Sequence, residues 1–332
     1  MIVAPVWLVK ARDVGVDAAY LDAPARGQLR TSKNALHGPA RGYSKAAVMQ
    51  SARSAGRALQ DEARRSALLS SPAMRTLRAT RYVTPLREGG SLPAIVEAED
   101  DGLYVLKFRA AGHGVKALIA ELLCGELARV AGLNVPELVQ LDVDAALGRN
   151  EPDPEIRDLL RASTGLNLGL DYLPGSLSFD PAVGPSPSSG EASAIVWWDA
   201  WITNVDRTAK NPNLLWWHHR LWLIDHGSAL YFHHAWADAG RQVGSPFEAI
   251  VQHVVLPWAD DVPGAGDRLA RLLTPAAVRD VLEQVPDDWL AGEPGFASPA
   301  EHREAYARHL QQRLARREVF EQEAARARAS LV

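Results

Sequence analysis

The pattern of apolar and polar positions predicts a strand-rich segment from about residue 77, followed by a mostly helical one. Before residue 172, short apolar runs are bounded by glycine and proline, which is typical of strands. After residue 190, longer apolar stretches follow helix-start signals. The predicted strands are 78–83, 94–97, 103–108, 137–142, 214–217 and 221–224, and the predicted helices are 115–132, 155–161, 191–203, 274–285 and one that Ser298 opens.

The stretch 197–231 is the densest apolar region of the chain, because it holds six of the ten tryptophans. The pattern there predicts a helix, a polar loop and a two-stranded hairpin. Asp206 and Asn211 fall in the loop, and Asp225 ends the second strand of the hairpin. Polar side chains that interrupt a core need partners, so these three are candidates for chemistry.

Three further polar features lie upstream, in the strand-rich segment. Gly89 and Gly90 join two strands; such a pair permits close approach to a phosphate, although alone it is more typical of a turn. Lys107 shares a strand face with apolar residues, so its ammonium group must reach solvent or meet an anion. Glu121 and Glu126 both lie among apolar residues of the first long helix, and helical periodicity does not choose between them as the partner of Lys107.

Phosphoryl transfer requires the groups that this order supplies. One carboxylate orients and deprotonates the attacking hydroxyl, while an amide oxygen and a second carboxylate hold magnesium ions that bridge the phosphates. Each residue alone has a structural explanation: Asp206 could pair with Arg207, Asn211 could cap a turn, and Asp225 could accept backbone donors. The ordered set of glycine loop, strand lysine, helix glutamate, Asp206, Asn211 and Asp225 predicts a kinase that uses MgATP.

Charge changes the picture at the beginning of the chain. Residues 1–75 carry 12 Lys and Arg against 5 Asp and Glu, whereas the whole chain of 332 residues has a net charge of −4. The segment could be a basic arm that binds nucleic acid or anionic lipid. We favour a disordered extension, with Met74 as an alternative start, because Tyr43 is the only aromatic residue among the charges of 26–65.

The remaining composition limits the class of protein. A single cysteine, Cys124, excludes an intramolecular disulfide, and with no secretory signal it indicates a cytoplasmic protein. No apolar run approaches the ~18 to 20 residues that a membrane span requires. Histidine pairs occur without CxxC or HExxH motifs, so a zinc site is not predicted.

From about Met74 onward the chain resembles the HipA-like branch of the protein-kinase-like fold, through Arg-Glu-Gly-Gly-Ser-Leu-Pro at 87–93 and Asn-x-Asp-Arg at 204–207. The resemblance implies an α+β fold of two lobes, a small β-rich one and a larger, mostly helical one. We expect them at 76–172 and 173–332. It also implies an ATP-dependent protein serine/threonine kinase, related to the phosphatidylinositol kinases.

The resemblance assigns roles to residues of this chain. In chain order they fall on Gly89, Gly90 and Ser91 for the phosphate loop, Lys107 for the nucleotide, Glu121 for the partner of that lysine, the backbone of Asp171, Tyr172 and Leu173 for adenine, Asp206 for catalysis, and Asn211 and Asp225 for Mg²⁺. Glu121 is selected over Glu126 because the family's glutamate stands eleven residues before a glycine, here Gly132.

Two departures from related kinases leave the substrate open. His226 stands where many kinases have phenylalanine, and Thr208 replaces the histidine of the lipid-kinase motif. A lipid or small-molecule kinase and an ATP-binding pseudokinase are therefore alternatives to a protein kinase. Residues 1–75 do not resemble the domain that meets an antitoxin in better-known members, so no such partner is implied.

Overall fold

The computed structural model describes residues 74–86, 92–149 and 151–331. The basic segment up to residue 73 lies outside the described residues, and so do Gly89, Gly90 and Ser91 of the predicted phosphate loop. Predictions about these residues stay predictions. The described part of the chain has a mixed α+β structure, with strands and helices in the order that the sequence pattern predicts.

Five strands form a closed barrel in the order β1-β2-β3-β5-β4. They are β1 (Thr76–Pro85), β2 (Ala94–Ala98), β3 (Leu103–Lys107), β4 (Leu138–Val143) and β5 (Gly165–Asp171). Neighbouring strands are antiparallel except β1 and β4, whose parallel pairing closes the barrel. Successive residues of β3 point to opposite faces and enter different cores. Leu106 belongs to a cluster formed mainly by the barrel strands, and Val105 belongs to the larger core that the strands share with the helices. Burial on both faces explains the nearly continuous apolar runs.

Helix α1 (Val115–Val130) packs against this barrel and is buried from Leu118 to Ala128. Gly114 and Gly132, both with positive φ, flank the helix. The amide of Leu133, the residue after Gly132, donates to the carbonyl of Ala128 at 2.9 Å and so caps the last turn of the helix. A shorter helix, α2 (Pro154–Ala162), precedes β5.

The helical part is built around α3 (Ser189–Ile202), whose three tryptophans are fully buried. Trp197 Nε1 donates to Glu321 Oε1 at 2.7 Å, so the indole binds a residue of the last helix. A small sheet pairs β6 (Leu177–Ser178), which precedes α3, with β7 (Leu214–Trp217) and β8 (Arg220–Leu223), which follow it. The remaining helices are α4 (Ala239–Gln242), α5 (Val262–Ala270), α6 (Pro275–Leu282), α7 (Asp287–Leu290), α8 (Pro299–Ala315) and α9 (Glu318–Ala329). None of the described helices has the length and apolar character of a membrane span.

Arg313 of α8 is almost completely buried and donates to five backbone carbonyls. They belong to Ala200 at 2.7 Å, Trp201 at 2.8 Å, Ser245 at 2.9 Å, Gln242 at 3.2 Å and Val243 at 3.3 Å. Burial lowers the pKa of Arg313 from 12.5 to about 10. The guanidinium therefore holds the end of α3 against the segment 242–245.

Candidate active site

Lys107 joins the barrel, helix α1 and the end of β8 in one buried ion-pair cluster. Its Nζ lies 2.7 Å from Glu121 Oε2 and 2.5 Å from Asp225 Oδ1. The side chains of Lys107 and Glu121 are 10% and 1% exposed, whereas that of Asp225 is 32% exposed. Three residues that are far apart in the sequence therefore meet, and the one nearest solvent is the carboxylate of Asp225.

The charges in this cluster keep Lys107 and Glu121 ionised. Burial lowers the pKa of Lys107, but the carboxylates of Asp225 and Glu121 outweigh it, so the pKa lies above its usual value. Burial is the largest single effect and raises the pKa of Glu121, but the charge of Lys107, its hydrogen bond and the nearby His226 together outweigh burial, so the pKa is lowered. Because two carboxylates stabilise its charge, the buried ammonium group of Lys107 can approach a further anion and stay protonated.

Glu126, the other candidate on α1, has a different environment. Its Oε1 accepts a hydrogen bond from Arg129 Nη1 at 3.1 Å, one turn along the same helix. Burial raises its pKa. The glutamate that faces Lys107 is therefore Glu121, at the position that the motif spacing selects.

Asp206 lies in the loop 204–213, which begins just after α3. Its Oδ2 accepts a hydrogen bond from Asn211 Nδ2 at 2.9 Å, and its amide donates to Asn204 Oδ1 at 3.1 Å. Burial raises the pKa of Asp206; the hydrogen bond from Asn211 opposes this, and the charge of Asp225 adds to it. The structure thus brings Asp206 and Asn211 into contact and places Asp225 close enough to influence the carboxylate.

A second buried ion pair, which the sequence did not predict, supports this loop. Arg207 Nε lies 2.5 Å from Asp199 Oδ2, and both side chains are fully buried. His253 Nε2 lies 2.8 Å from the same oxygen, and Asn204 Nδ2 donates to Asp199 Oδ1 at 3.0 Å. Burial raises the pKa of Asp199, but the charge of Arg207 and the hydrogen bonds from His253 and Arg207 together lower it by more, so the carboxylate is ionised. Arg207 therefore pairs with Asp199, a charged residue in the tryptophan-rich face of α3, rather than with Asp206.

Arg207 also connects the loop to the strand that carries Asp225. Its Nη1 donates to the carbonyls of Asn213 and Ile224, the latter at 3.2 Å. The amide of Ile224 donates to the carbonyl of Asn213 at 3.1 Å. Asp225 follows directly and adopts a φ of 57°, a left-handed backbone conformation that is uncommon outside glycine. These contacts fix the end of β8 relative to Asp206.

The oxygen atoms of this site fit a magnesium ion. The amide nitrogen of Asn211 donates to Asp206, which leaves its amide oxygen available to a metal, and Asp225 has a second carboxylate oxygen beyond the one near Lys107. Within the described ranges, no group of three or more His, Cys, Asp or Glu side chains could enclose a metal. That is compatible with Mg²⁺, which is commonly held by one or two protein oxygens together with phosphates and water.

His226, which directly follows Asp225, is fully buried beside Glu121. Its Nδ1 lies 3.7 Å from Glu121 Oε1. Neither ring nitrogen has a hydrogen-bond partner among the described residues, and the same is true of Glu121 Oε1. The residue that departs from the phenylalanine of many kinases thus packs against the glutamate that binds Lys107.

The predicted adenine-contacting backbone, Asp171 to Leu173, lies at the end of β5. The amide of Asp171 donates to the carbonyl of Glu137 at 2.8 Å, and that of Tyr172 donates to the carbonyl of Leu103 at 2.9 Å. Both donors are therefore used inside the protein. Leu173 is the residue of this group whose amide has no such bond to another described residue.

Removing the carboxylate of Asp171 is expected to stabilise the protein in a pH-dependent manner. Burial, followed by the charge of Glu137, raises the pKa of Asp171 from 3.8 to about 6. A carboxyl whose pKa is higher in the folded chain favours folding while protonated, so stability falls as pH rises from 3.8 through about 6. Asp171→Asn should raise the melting temperature at about pH 7.5, and the gain should narrow at about pH 5. Asp142→Asn, at an exposed position of the neighbouring strand β4, is the matched control. An equal gain for Asp171→Asn at both pH values would contradict this prediction.

Comparison with known proteins places this geometry in context. A family model described as HipA-like kinase matches residues 80–323. No curated protein matches the chain. Among solved structures, the Helicobacter pylori proinflammatory kinase CtkA is 12% identical, with a TM-score of 0.45 over 73% of this chain and 93% of that one. The Golgi casein kinase with Mn/ADP bound is 13% identical, with a TM-score of 0.40 over 78% of this chain and 74% of that one.

Proposed function

The chain belongs to the HipA-like kinase family, and from that premise we propose that it transfers the γ-phosphate of MgATP to a serine or threonine hydroxyl of a protein. We further propose the two-lobed arrangement of a protein kinase, with the barrel in the lobe at 76–172 and the helical part in the lobe at 173–332. The nucleotide would lie near Lys107, Asp206 and Asp225.

The contact that carries this proposal is the one that Lys107 makes with Glu121 and Asp225. A buried lysine between two carboxylates is costly unless its charge is used, because an ammonium group loses its hydration there. The nucleotide's α- and β-phosphates would supply the further anion, with Glu121 holding the ammonium in place. Gly89, Gly90 and Ser91 would cover the phosphates with their backbone amides. The backbone of Asp171 to Leu173, and in particular the free amide of Leu173, would contact adenine.

In the proposed reaction, the acceptor hydroxyl donates its proton to the carboxylate of Asp206 while its oxygen bonds to the γ-phosphorus and the bond to the ADP oxygen breaks. Burial raises the pKa of Asp206, which makes the carboxylate a stronger base than an exposed aspartate. The amide of Asn211 orients that carboxylate through its hydrogen bond. Asn211 and Asp225 would hold Mg²⁺, which neutralises charge on the phosphate oxygens.

The class of acceptor is tested by labelling. The full-length protein, incubated with [γ-³²P]ATP, magnesium and a cell lysate, is expected to label the protein fraction on serine or threonine, as phosphoamino-acid analysis would show. Label in the extracted lipids would instead indicate a lipid kinase. ATP binding without magnesium-dependent labelling of any fraction would indicate a pseudokinase and would refute the proposal.

A further inference from the structure

A cavity lined by the residue that precedes Asp206 lies outside the lysine cluster. It has a volume of about 320 Å³, which is at the small end of the range for ligand pockets. One wall is formed by Thr203 and Val205, at the end of α3 and the start of the loop 204–213. The other wall is formed by Gln242 and residues 245–249, and Tyr231 also lines the cavity. None of these residues belongs to the proposed nucleotide or metal site.

The position of this pocket ties it to the acceptor rather than to ATP. Val205 is 44% exposed and directly precedes Asp206 in the chain. Consecutive Cα atoms are ~3.8 Å apart, so a group that contacts Val205 lies within about one residue's length of the proposed base. The natural occupant is therefore a side chain close to the hydroxyl that Asp206 would deprotonate.

The two walls are held together before anything binds. Arg313 donates to the carbonyls of Ala200 and Trp201, which lead into Thr203, and to those of Gln242 and Ser245, which lie in the opposite wall. A single buried side chain thus fixes the width of the pocket. A preformed cavity loses less conformational entropy on binding than one that must be assembled.

The backbone around the pocket is strained. Thr203 has a φ of 55° and Phe247 a φ of 61°, a conformation that is a clear outlier for β-branched and bulky side chains. The hydroxyl of Thr203 is buried without a hydrogen-bond partner in the described part of the chain. Such conformations persist where the surroundings enforce them, and they concentrate at binding sites.

The chemistry of the pocket selects one type of side chain. Val205, Pro246, Phe247 and Ala249 give it an apolar lining, and Glu248 places an exposed carboxylate beside them. Glu248 has no ion-pair partner among the residues whose positions the structure describes. The charge of Glu248 raises the pKa of Arg326, but the guanidinium of Arg326 donates to both carboxylate oxygens of Glu323. Apolar walls suit a methylene chain, and an unpaired carboxylate at the rim suits a cationic head group.

We propose that this pocket binds an arginine or lysine side chain of the protein substrate next to the acceptor hydroxyl, and so makes the enzyme selective for basic sequences. The inference rests on the proposed kinase activity. The methylene stem lies along Val205 and Phe247, and the guanidinium or ammonium group binds the carboxylate of Glu248, with Gln242 and Ser245 as further polar neighbours.

A positional-scanning peptide library tests the proposal. Peptides with a fixed serine or threonine and each amino acid in turn at the flanking positions are incubated with the full-length protein and [γ-³²P]ATP. Arginine and lysine are expected to be preferred at one flanking position. For a peptide pair that differs there only by Arg against Ala, Glu248→Gln should reduce the ratio of kcat/KM values by about tenfold, the effect of losing a charge-assisted hydrogen bond. Glu248→Lys should reverse the preference towards Asp and Glu.

Two controls separate this proposal from the activity on which it rests. Glu283→Gln makes the same change at an exposed glutamate outside the pocket and should leave the peptide ratio unchanged. The KM for ATP should be the same in all variants. Peptide labelling with no basic preference, or a preference that Glu248→Gln leaves intact, overturns the pocket assignment alone. No labelling of any peptide or protein overturns the kinase proposal and the inference with it.

Discussion

Asp206→Asn is expected to lower kcat by about 10² to 10⁴-fold, the usual effect of losing a general base, and to leave nucleotide affinity nearly unchanged. Asparagine keeps an oxygen that can accept the hydrogen bond from Asn211 but cannot accept the hydroxyl proton. Stability should hardly change. Burial raises the pKa of Asp206, so the charge of the carboxylate makes no net contribution to stability that the neutral, equally sized amide would lose. Phosphate transfer and binding of a fluorescent nucleotide analogue measure the two quantities separately.

The matched control for this experiment is Asp158→Asn, which removes a carboxylate whose side chain is 73% exposed on α2. It should alter neither kcat nor nucleotide affinity, because the change is remote from the loop 204–213 and weakly coupled to its neighbours. If Asp206→Asn transferred phosphate as fast as the unchanged protein, Asp206 would not be the base. A loss of nucleotide affinity equal to the loss of kcat would instead assign Asp206 to binding.

Arg207→Met is expected to destabilise the protein by about 3 to 5 kcal/mol, because it leaves the carboxylate of Asp199 buried without its cation. The double variant Asp199→Asn/Arg207→Met should lose less, since no uncompensated charge remains. Urea unfolding at neutral pH measures both values. Any variant that stays folded should also lose activity, because Arg207 ties the end of the loop 204–213 at Asn213 to Ile224, the residue before Asp225.

The control for the stability experiment is Arg241→Met. This arginine is 80% exposed and pairs with Asp238 one turn away. Loss of such a surface pair is expected to change the free energy of unfolding by no more than about 1 kcal/mol. If Arg207→Met and Arg241→Met cost the same, or if the double variant cost more than Arg207→Met alone, the buried pair would not be the anchor of the loop.

Local patterns predicted much of the fold, because strands and helices here have clear apolar runs and end signals. The strand that carries Lys107 and the helix that Ser298 opens lie where the pattern places them. Helical periodicity could not show whether Glu121 or Glu126 is the partner of Lys107. Helix α1 is buried on nearly all sides, so no face identifies the inward glutamate. The spacing to Gly132 supplied that choice, and the 2.7 Å contact with Lys107 agrees with it.

Contacts between residues that are distant in the chain could not be predicted from the sequence, for a different reason. The parallel contact of β1 with β4 joins Leu77 to Leu141, and no local signal marks either strand as the other's neighbour. The ion pair of Asp199 with Arg207 was missed, although a carboxylate in so apolar a helix indicates that it has a buried partner. Arg313 gave no comparable signal, since arginine next to the apolar stripe of an amphipathic helix is usually exposed.

The five carbonyl contacts of Arg313 also determine when, during synthesis, the fold around Asp206 can be completed. Arg313 follows Ala200 by 113 positions and Ser245 by 68. At translation rates of about 5 to 20 residues per second, the chain around Asp206 waits on the order of ten seconds for the arginine that fixes it. Over that interval the nascent chain already contains Lys107, Asp206 and Asp225 but lacks the side chain that joins the pocket walls. Substrate selection through that pocket is therefore expected to begin only after α8 has been made and has docked.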